Sequence, residues 1–228
     1  MKSICIHSAP RTASRTAAVF LETKIGDAQV SHNHFLLDKR ISHFNERHYK
    51  MVANAFDKNR IYVITIVRNP IWRNISDFWR WTFIRYKIHQ RQEWDRSKFI
   101  QEFLQSIDHY QGIEHIQREV EPFWGFNIYD REFPRDIGYQ IIKGPRDSLH
   151  RLLIIRFENI DKLPEAASKL LGIEIKGRLP HIGKSEYYPA YLQGNLGLPK
   201  RYVAKMLDHQ YTKHFYADER DQMWSDSC

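Results

Sequence analysis

Residues 61–76 read IYVITIVRNPIWRNIS. The first seven are apolar or β-branched with no polar alternation, the pattern of a strand covered on both faces and hence of a central strand in a parallel sheet. Asn69 then suits a helix N-cap, and Pro70 suits the first helical position, where a missing N–H costs nothing. The spacing predicts a helix from Pro70 to about Lys87, with Ile71, Ile75, Phe78, Trp79 and Thr82 on one face and Arg73, Ser76 and Arg80 along another. A buried strand that turns into an amphipathic helix within two residues is the signature unit of an α/β sheet.

The same alternation extends in both directions. SICIH (3–7) is expected to be the first strand, and after a polar loop a helix carrying Ala17, Phe20 and Leu21 runs to about residue 24. Gly26 and Asp27 turn the chain into a second strand, AQVSHNH (28–34), and a helical pattern covers 42–56. Beyond the central strand, Phe99, Ile100, Phe103, Leu104 and Ile107 mark another amphipathic helix. Residues 110–137 are aromatic and charged without a period and are expected to be loop and irregular structure. YQIIK (139–143) and RLLIIRF (151–157) read as strands, the latter followed by a short helix ended by Gly172, and a last helix is expected near 199–209. No linker or internal repeat divides the chain. The expectation is one α/β domain over residues 1–228, a single domain with a central parallel sheet flanked by helices.

The 228 residues carry a formal charge of +8 with 42% hydrophobic content, and the isoelectric point is about 9.4. Such a chain folds, and its charge favours anionic partners without naming the anion. Cys5 and Cys228 are the only cysteines, which excludes a disulfide framework and a cysteine zinc site. No apolar run approaches the roughly 20 residues of a membrane span, and Arg11 interrupts any secretory h-region. A cytoplasmic location follows as the expectation.

In an open α/β sheet, ligands bind beyond the carboxyl ends of the strands. The first strand runs into SAPRTASRT (8–16), the second ends in SHNH (31–34), and the third ends at Arg68. The first loop combines arginines and hydroxyls with the start of a helix, whose unpaired N–H groups and dipole favour an anion. It lacks the terminal Gly-Lys-Ser/Thr of a Walker A loop, which speaks against an ordinary ATP or GTP hydrolase. Arg68 and Ser76, eight residues apart, are candidates for a second anionic group.

These residues carry a resemblance. PRTASRT (10–16) resembles the 5′-phosphosulfate loop of sulfotransferases dependent on 3′-phosphoadenosine 5′-phosphosulfate (PAPS). VRNPIWRNISDFW (67–79) is similar to their 3′-phosphate segment, LLIIRFENI (152–160) to a later strand, and YTKHFYADE (211–219) to a C-terminal segment of some carbohydrate sulfotransferases. The resemblance implies a P-loop-like sulfotransferase fold, with Arg11, Thr12, Ala13, Ser14, Arg15 and Thr16 on the 5′-phosphosulfate and Arg68 and Ser76 on the 3′-phosphate. Adenosine 3′,5′-bisphosphate would be the product, and the scheme requires no metal. Ala13 stands where the family has glycine, and an alanine is compatible with the loop if its φ stays negative. Arg11 would stabilise the leaving group electrostatically, since a guanidinium gives up no proton.

The acceptor hydroxyl needs a base. His32 and His34 lie two apart at the second strand end, on one face. This His-x-His resembles the strand end of the uronyl 2-O-sulfotransferases, which implies His34 as base with His32 in support. Glu158 is the alternative base, or else a partner of Arg156. The expected acceptor is a carbohydrate hydroxyl, with no nucleic acid. Trp81, Trp94, Trp124 and Tyr129 could stack on sugar or belong to the core. Two other readings stay open: a basic nucleic-acid-binding domain using Arg68, Arg73, Arg80 and Arg85 as a phosphate stripe, and a nucleotide kinase with a divergent phosphate loop.

Overall fold

The computed structural model describes residues 2–37, 61–85 (side chains to 82), 95–144, 150–180 and 195–228. In chain order these form β1 (Lys2–His7), α1 (Ser14–Lys24), β2 (Ala28–Asn33), β3 (Ile61–Val67), α2 (Pro70–Arg85) and α3 (Arg96–Ser106). A π-helical turn (Ile116–Val120) then leads into α4 (Glu121–Trp124), followed by β4 (Tyr139–Lys143), β5 (Arg151–Arg156), a 3-10 segment (Phe157–Lys162) and α5 (Leu163–Leu171). The C-terminal elements are α6 (Lys200–Asp208), α7 (Gln210–Phe215), a 3-10 turn (Ala217–Glu219) and α8 (Arg220–Ser227). The helix expected at 42–56 lies outside the described residues. No described helix is long and apolar enough to cross a membrane.

The chain divides into two compact units, Met1–Arg68 with Glu114–Ile182, and Asn69–Ile113 with Gly183–Cys228. The first holds the sheet, whose five described strands are ordered β2-β1-β3-β5-β4. β1 pairs in parallel with β2 and β3, and β3 with β5. β4 runs antiparallel to β5, a correction to an all-parallel expectation. The reason is length. Residues 144–150 join the two strands, whereas a parallel crossover takes a dozen or more.

β3 is buried at every position, as a central strand must be. Register sets Ile4 beside Tyr62 and Ile6 beside Ile64. Ile64 and Ile66 in turn lie beside Leu153 and Ile155, so these side chains share one face. That face packs against Ala17, Phe20 and Leu21 of α1 and Leu163, Ala166 and Leu170 of α5. α5 ends as the sequence predicts, with Gly172 at φ 65, in the left-handed region that closes a helix. Leu21 is fully buried, so Leu21→Ala would cost about 2–5 kcal/mol.

Residues 110–137 are less irregular than their pattern suggests. They contain the π-helical turn and α4, and α4 closes at Gly125 with φ 71. A π turn hydrogen-bonds i to i+5, so the 3.6-residue period that identifies an α-helix is absent over this stretch.

In the second unit, Asn69 caps α2 as expected, its side-chain oxygen accepting from the backbone of Ile71 and Trp72. Phe78, Phe99 and Phe103 form an aromatic cluster between α2 and α3. The expected polar stripe of α2 needs correction. Arg73 is only 2% exposed and Ser76 only 4%, while Arg80 faces solvent. Arg73 donates to Asn74 Oδ1 at 2.9 Å, Asp77 Oδ2 at 3.1 Å and Gln111 Oε1 at 3.4 Å. These acceptors are what let a guanidinium sit in the interior.

Candidate functional site

In the first unit the chain goes from β1 to β2 on one side of β1 and then places β3 on its other side. The carboxyl ends of β1 and β3 are therefore a topological switch point, where an open sheet parts and a ligand can enter. The parting has a visible chemical form. Main-chain pairing of β1 with β3 ends at Ile6 and Ile64. Beyond it, side chains take over the rungs: Thr65 Oγ1 donates to the His7 carbonyl at 2.8 Å, and the Ile66 N–H donates to Ser8 Oγ at 2.8 Å.

From there the chain makes the loop Ser8–Ala13. Thr12 is buried, and its hydroxyl donates to the Ala9 carbonyl at 2.9 Å, bracing the loop from within. Arg11 and Ala13 both have positive φ, 70° and 60°. The condition of negative φ for Ala13 is thus not met, and the alanine occupies the conformation that glycine adopts without strain. Backbone that enters the left-handed region can form a concavity of N–H groups suited to an anion. The first bond of α1 runs from Ala17 N to Ala13 O at 3.1 Å, so the N–H groups of Ser14, Arg15 and Thr16 precede the helical ladder. Arg11 and Arg15 are exposed beside them.

Arg68, at the end of β3, turns to the same loop. Its Nη1 donates to the Arg11 carbonyl at 2.8 Å, and its guanidinium lies 4.3 Å from the Phe157 ring centroid. Arg68 thus holds the backbone of Arg11, a role that nothing in the local sequence pattern marks.

The two histidines also reach this loop. β2 ends at Asn33, paired with His7, so His34 stands one residue past the strand and not within it. The rings of His32 and His34 meet edge to face with centroids 4.6 Å apart, as their same-face spacing predicts. His32 Nε2 is hydrogen-bonded with Ser14 Oγ at 2.8 Å, and His34 Nδ1 with the Ser8 carbonyl at 2.7 Å. A carbonyl only accepts, so His34 Nδ1 carries the proton and the neutral ring has its basic lone pair on Nε2.

Behind them lies a layer that the sequence did not reveal. His115 Nε2 donates to the His34 carbonyl at 2.5 Å. Glu119 Oε2 accepts from the backbone N–H groups of Leu36 at 2.8 Å and Leu37 at 2.9 Å. His7 is fully buried, and its Nδ1 accepts from Trp124 Nε1 at 2.9 Å. Burial, with smaller contributions from His115 and His34, holds the His7 imidazole well below its usual range, so it stays neutral. Trp124 is therefore a core residue and no sugar platform. Burial likewise pushes the Tyr129 phenol up. Trp94 lies outside the described residues.

The structure thus gathers Arg11 to Thr16, His32, His34 and Arg68 around one loop. Ser76 belongs to the other unit, where it is buried on α2. Glu158 is exposed on the 3-10 segment after β5. Its neighbour Arg156 donates through Nε to Asn159 Oδ1 at 3.0 Å and through Nη2 to the Arg135 carbonyl at 2.8 Å. Comparison with family models, curated proteins and solved structures found no match.

Proposed function

We propose that this protein transfers a sulfuryl group from PAPS to a hydroxyl of a carbohydrate or glycan-type acceptor. The observation that carries the reading is the bond from His34 Nδ1–H to the Ser8 carbonyl, which ties a nitrogen base to an oxyanion-binding loop at a topological switch point. The donor set suits the 5′-phosphosulfate: N–H groups at the start of α1, exposed Arg11 and Arg15, and a backbone bent through two left-handed residues. Thr12 and Ser14, both buried, shape the loop more than they face outward. Arg68 is the candidate 3′-phosphate contact within this unit.

The chemistry balances. The acceptor oxygen bonds to sulfur, the bond from sulfur to the 5′-phosphate oxygen breaks in line, and the acceptor proton passes to His34 Nε2. Adenosine 3′,5′-bisphosphate leaves with the electron pair, and Arg11 offsets its growing charge. The protein supplies position, a base and a positive field.

The competing readings are weaker. Arg73 is buried and held by Asp77, so the phosphate stripe needed for nucleic acid loses a member. A kinase would need the lysine that the loop lacks. The test is a melting experiment with EDTA present. At 100-fold over its dissociation constant, adenosine 3′,5′-bisphosphate should stabilise by about 2.7 kcal/mol, and 5′-AMP should do distinctly less. Equal shifts from the two, or a response confined to Mg²⁺-ATP or to an oligonucleotide, would sink the proposal.

A further inference from the structure

The chain leaving β2 poses a problem of hydrogen bonding. β2 pairs only with β1 among the described strands, and that ladder stops at Asn33. The next residues, His34 to Leu37, have left the sheet, yet Leu36 is only 4% exposed. Backbone polar groups there need partners supplied by side chains. One segment supplies them. His115 and Glu119 flank and enter the π-helical turn, and they are 2% and 6% exposed. His115 takes the His34 carbonyl, and one carboxyl oxygen of Glu119 takes the N–H groups of both Leu36 and Leu37. His7 stands behind, its Nε2 3.8 Å from the same oxygen. Since His7 Nδ1 accepts from Trp124, the proton of this neutral ring is on Nε2.

We infer that Glu119, with His115, is the positioning residue for His34: the clamp on residues 34–37 holds the imidazole where its Nδ1–H meets the Ser8 carbonyl, leaving Nε2 as the base. The inference rests on the proposed sulfuryl transfer for its chemical meaning and on the clamp alone for its geometry. Glu119 is buried and its carboxylate contacts backbone. It acts on the backbone that follows the histidine, and removing it leaves the buried Leu36 N–H and the part-buried Leu37 N–H without that acceptor. The segment then shifts to find new partners, and His34 loses its fixed carbonyl. A π turn at this place fits the role, because its wider winding sets side chains where an α-helix would not and such turns recur at functional sites.

The decisive readout is the tautomer of His34, measured by long-range ¹H–¹⁵N correlation of the histidine rings, with the His34 signal identified by its loss in His34→Gln. Wild-type protein should show the Nδ1–H form. Glu119→Ala should lose it, giving mixed tautomers, while Glu119→Gln should retain it, because an amide oxygen can accept the same two N–H groups. His115→Phe, which keeps the ring packing and removes the donor, should weaken it and carries the test should Glu119→Ala not fold. In the transfer assay, Glu119→Ala should lower kcat on the order of 100-fold with little change in donor KM. A wild-type Nε2–H tautomer overturns the inference. So does a wild-type spectrum in folded Glu119→Ala or in His115→Phe, and so does a Glu119→Gln spectrum like that of the alanine variant. If the wild-type protein transfers no sulfuryl group, the functional reading fails while the spectra still decide the clamp.

Discussion

Ala13 offers a stability test that bears directly on the loop. It sits at φ 60°, ψ 19°, immediately before α1, and its side chain makes no capping hydrogen bond. In the left-handed region an L-residue's Cβ crowds the following carbonyl, at a cost of about 1–2 kcal/mol. Ala13→Gly removes that cost. Against it stands the greater freedom of glycine in the unfolded chain, about 0.4–1 kcal/mol. The net expectation is a gain of about 0–1.6 kcal/mol, centred on about 0.8 kcal/mol, with Tm rising by roughly 2–4 °C per kcal/mol in a chain of this size. Urea denaturation should show a higher midpoint with an unchanged slope, because the surface exposed on unfolding is the same. Ala13→Val provides the opposite arm, since a β-branched residue is still less tolerant of positive φ. A glycine variant less stable than the wild type would refute the strained conformation, and with it the turned backbone on which the proposed anion cradle depends.

Two further perturbations probe the interior of each unit. A Cβ on Gly112 would come within 2.6 Å of Cδ and Nε of Arg73, a side chain pinned by Asn74, Asp77 and Gln111. Gly112→Ala should therefore destabilise by about 1–3 kcal/mol in chemical denaturation, and an unchanged midpoint would mean that Arg73 is not held there. His7 tests the pH dependence. Its folded-state pKa is lowered from 6.5 by burial, so the unfolded chain binds the extra proton and stability is full above pH 6.5 and falls as the pH drops. Between pH 7 and pH 5 this one group should remove about 2 kcal/mol if it stays neutral when folded. His7→Gln, whose side chain can still accept from Trp124, should lose less stability over that range than the wild type. The half-buried ring of His109 and the buried ring of His150 shift in the same direction and remain in both proteins. Identical pH slopes would overturn the neutral buried His7.

What could be read from the sequence was whatever has a period or a punctuation mark. Ile61–Val67 was legible because seven residues without a polar alternation fit only a strand buried on both sides. The end of α1 near residue 24, the start of α2 and the glycine stop after α5 were legible for the same kind of reason. The site was half legible: the loop and the two histidines stand next to strand ends, where the chain itself brings them near the crevice. The rest depended on partners remote in sequence. Glu119 is 82 residues from Leu37, on a turn whose winding matches no usual period, and nothing local marks it as a clamp. Arg73 shows the reverse error. Its helical spacing put it on a polar face, but burial of that face was decided by Asp77 and Gln111, and helical spacing does not tell a solvated arginine from a paired one.

The choice between the two histidines can be argued from hydrogen-bond direction alone. A general base must present a lone pair while its other nitrogen is protonated and held. For His34 the partner on Nδ1 is the Ser8 carbonyl, which cannot donate, so the tautomer is fixed and Nε2 is basic. For His32 the partner on Nε2 is the Ser14 hydroxyl, which can donate or accept, so its bond fixes neither tautomer and occupies that nitrogen. His32 instead joins the start of α1 to the edge of His34, with the ring planes at 85°. Under the proposed transfer, His34 would take the proton and His32 would keep His34 and the loop together. His34→Ala should cost about 10²–10⁴-fold in turnover with donor affinity nearly intact, and the acidic limb of kcat/KM should vanish with it. His32→Ala should cost less and leave that limb in place. If His32→Ala is the variant that abolishes the limb, the base is the other ring, and the Ser8 carbonyl holds a histidine that takes no proton.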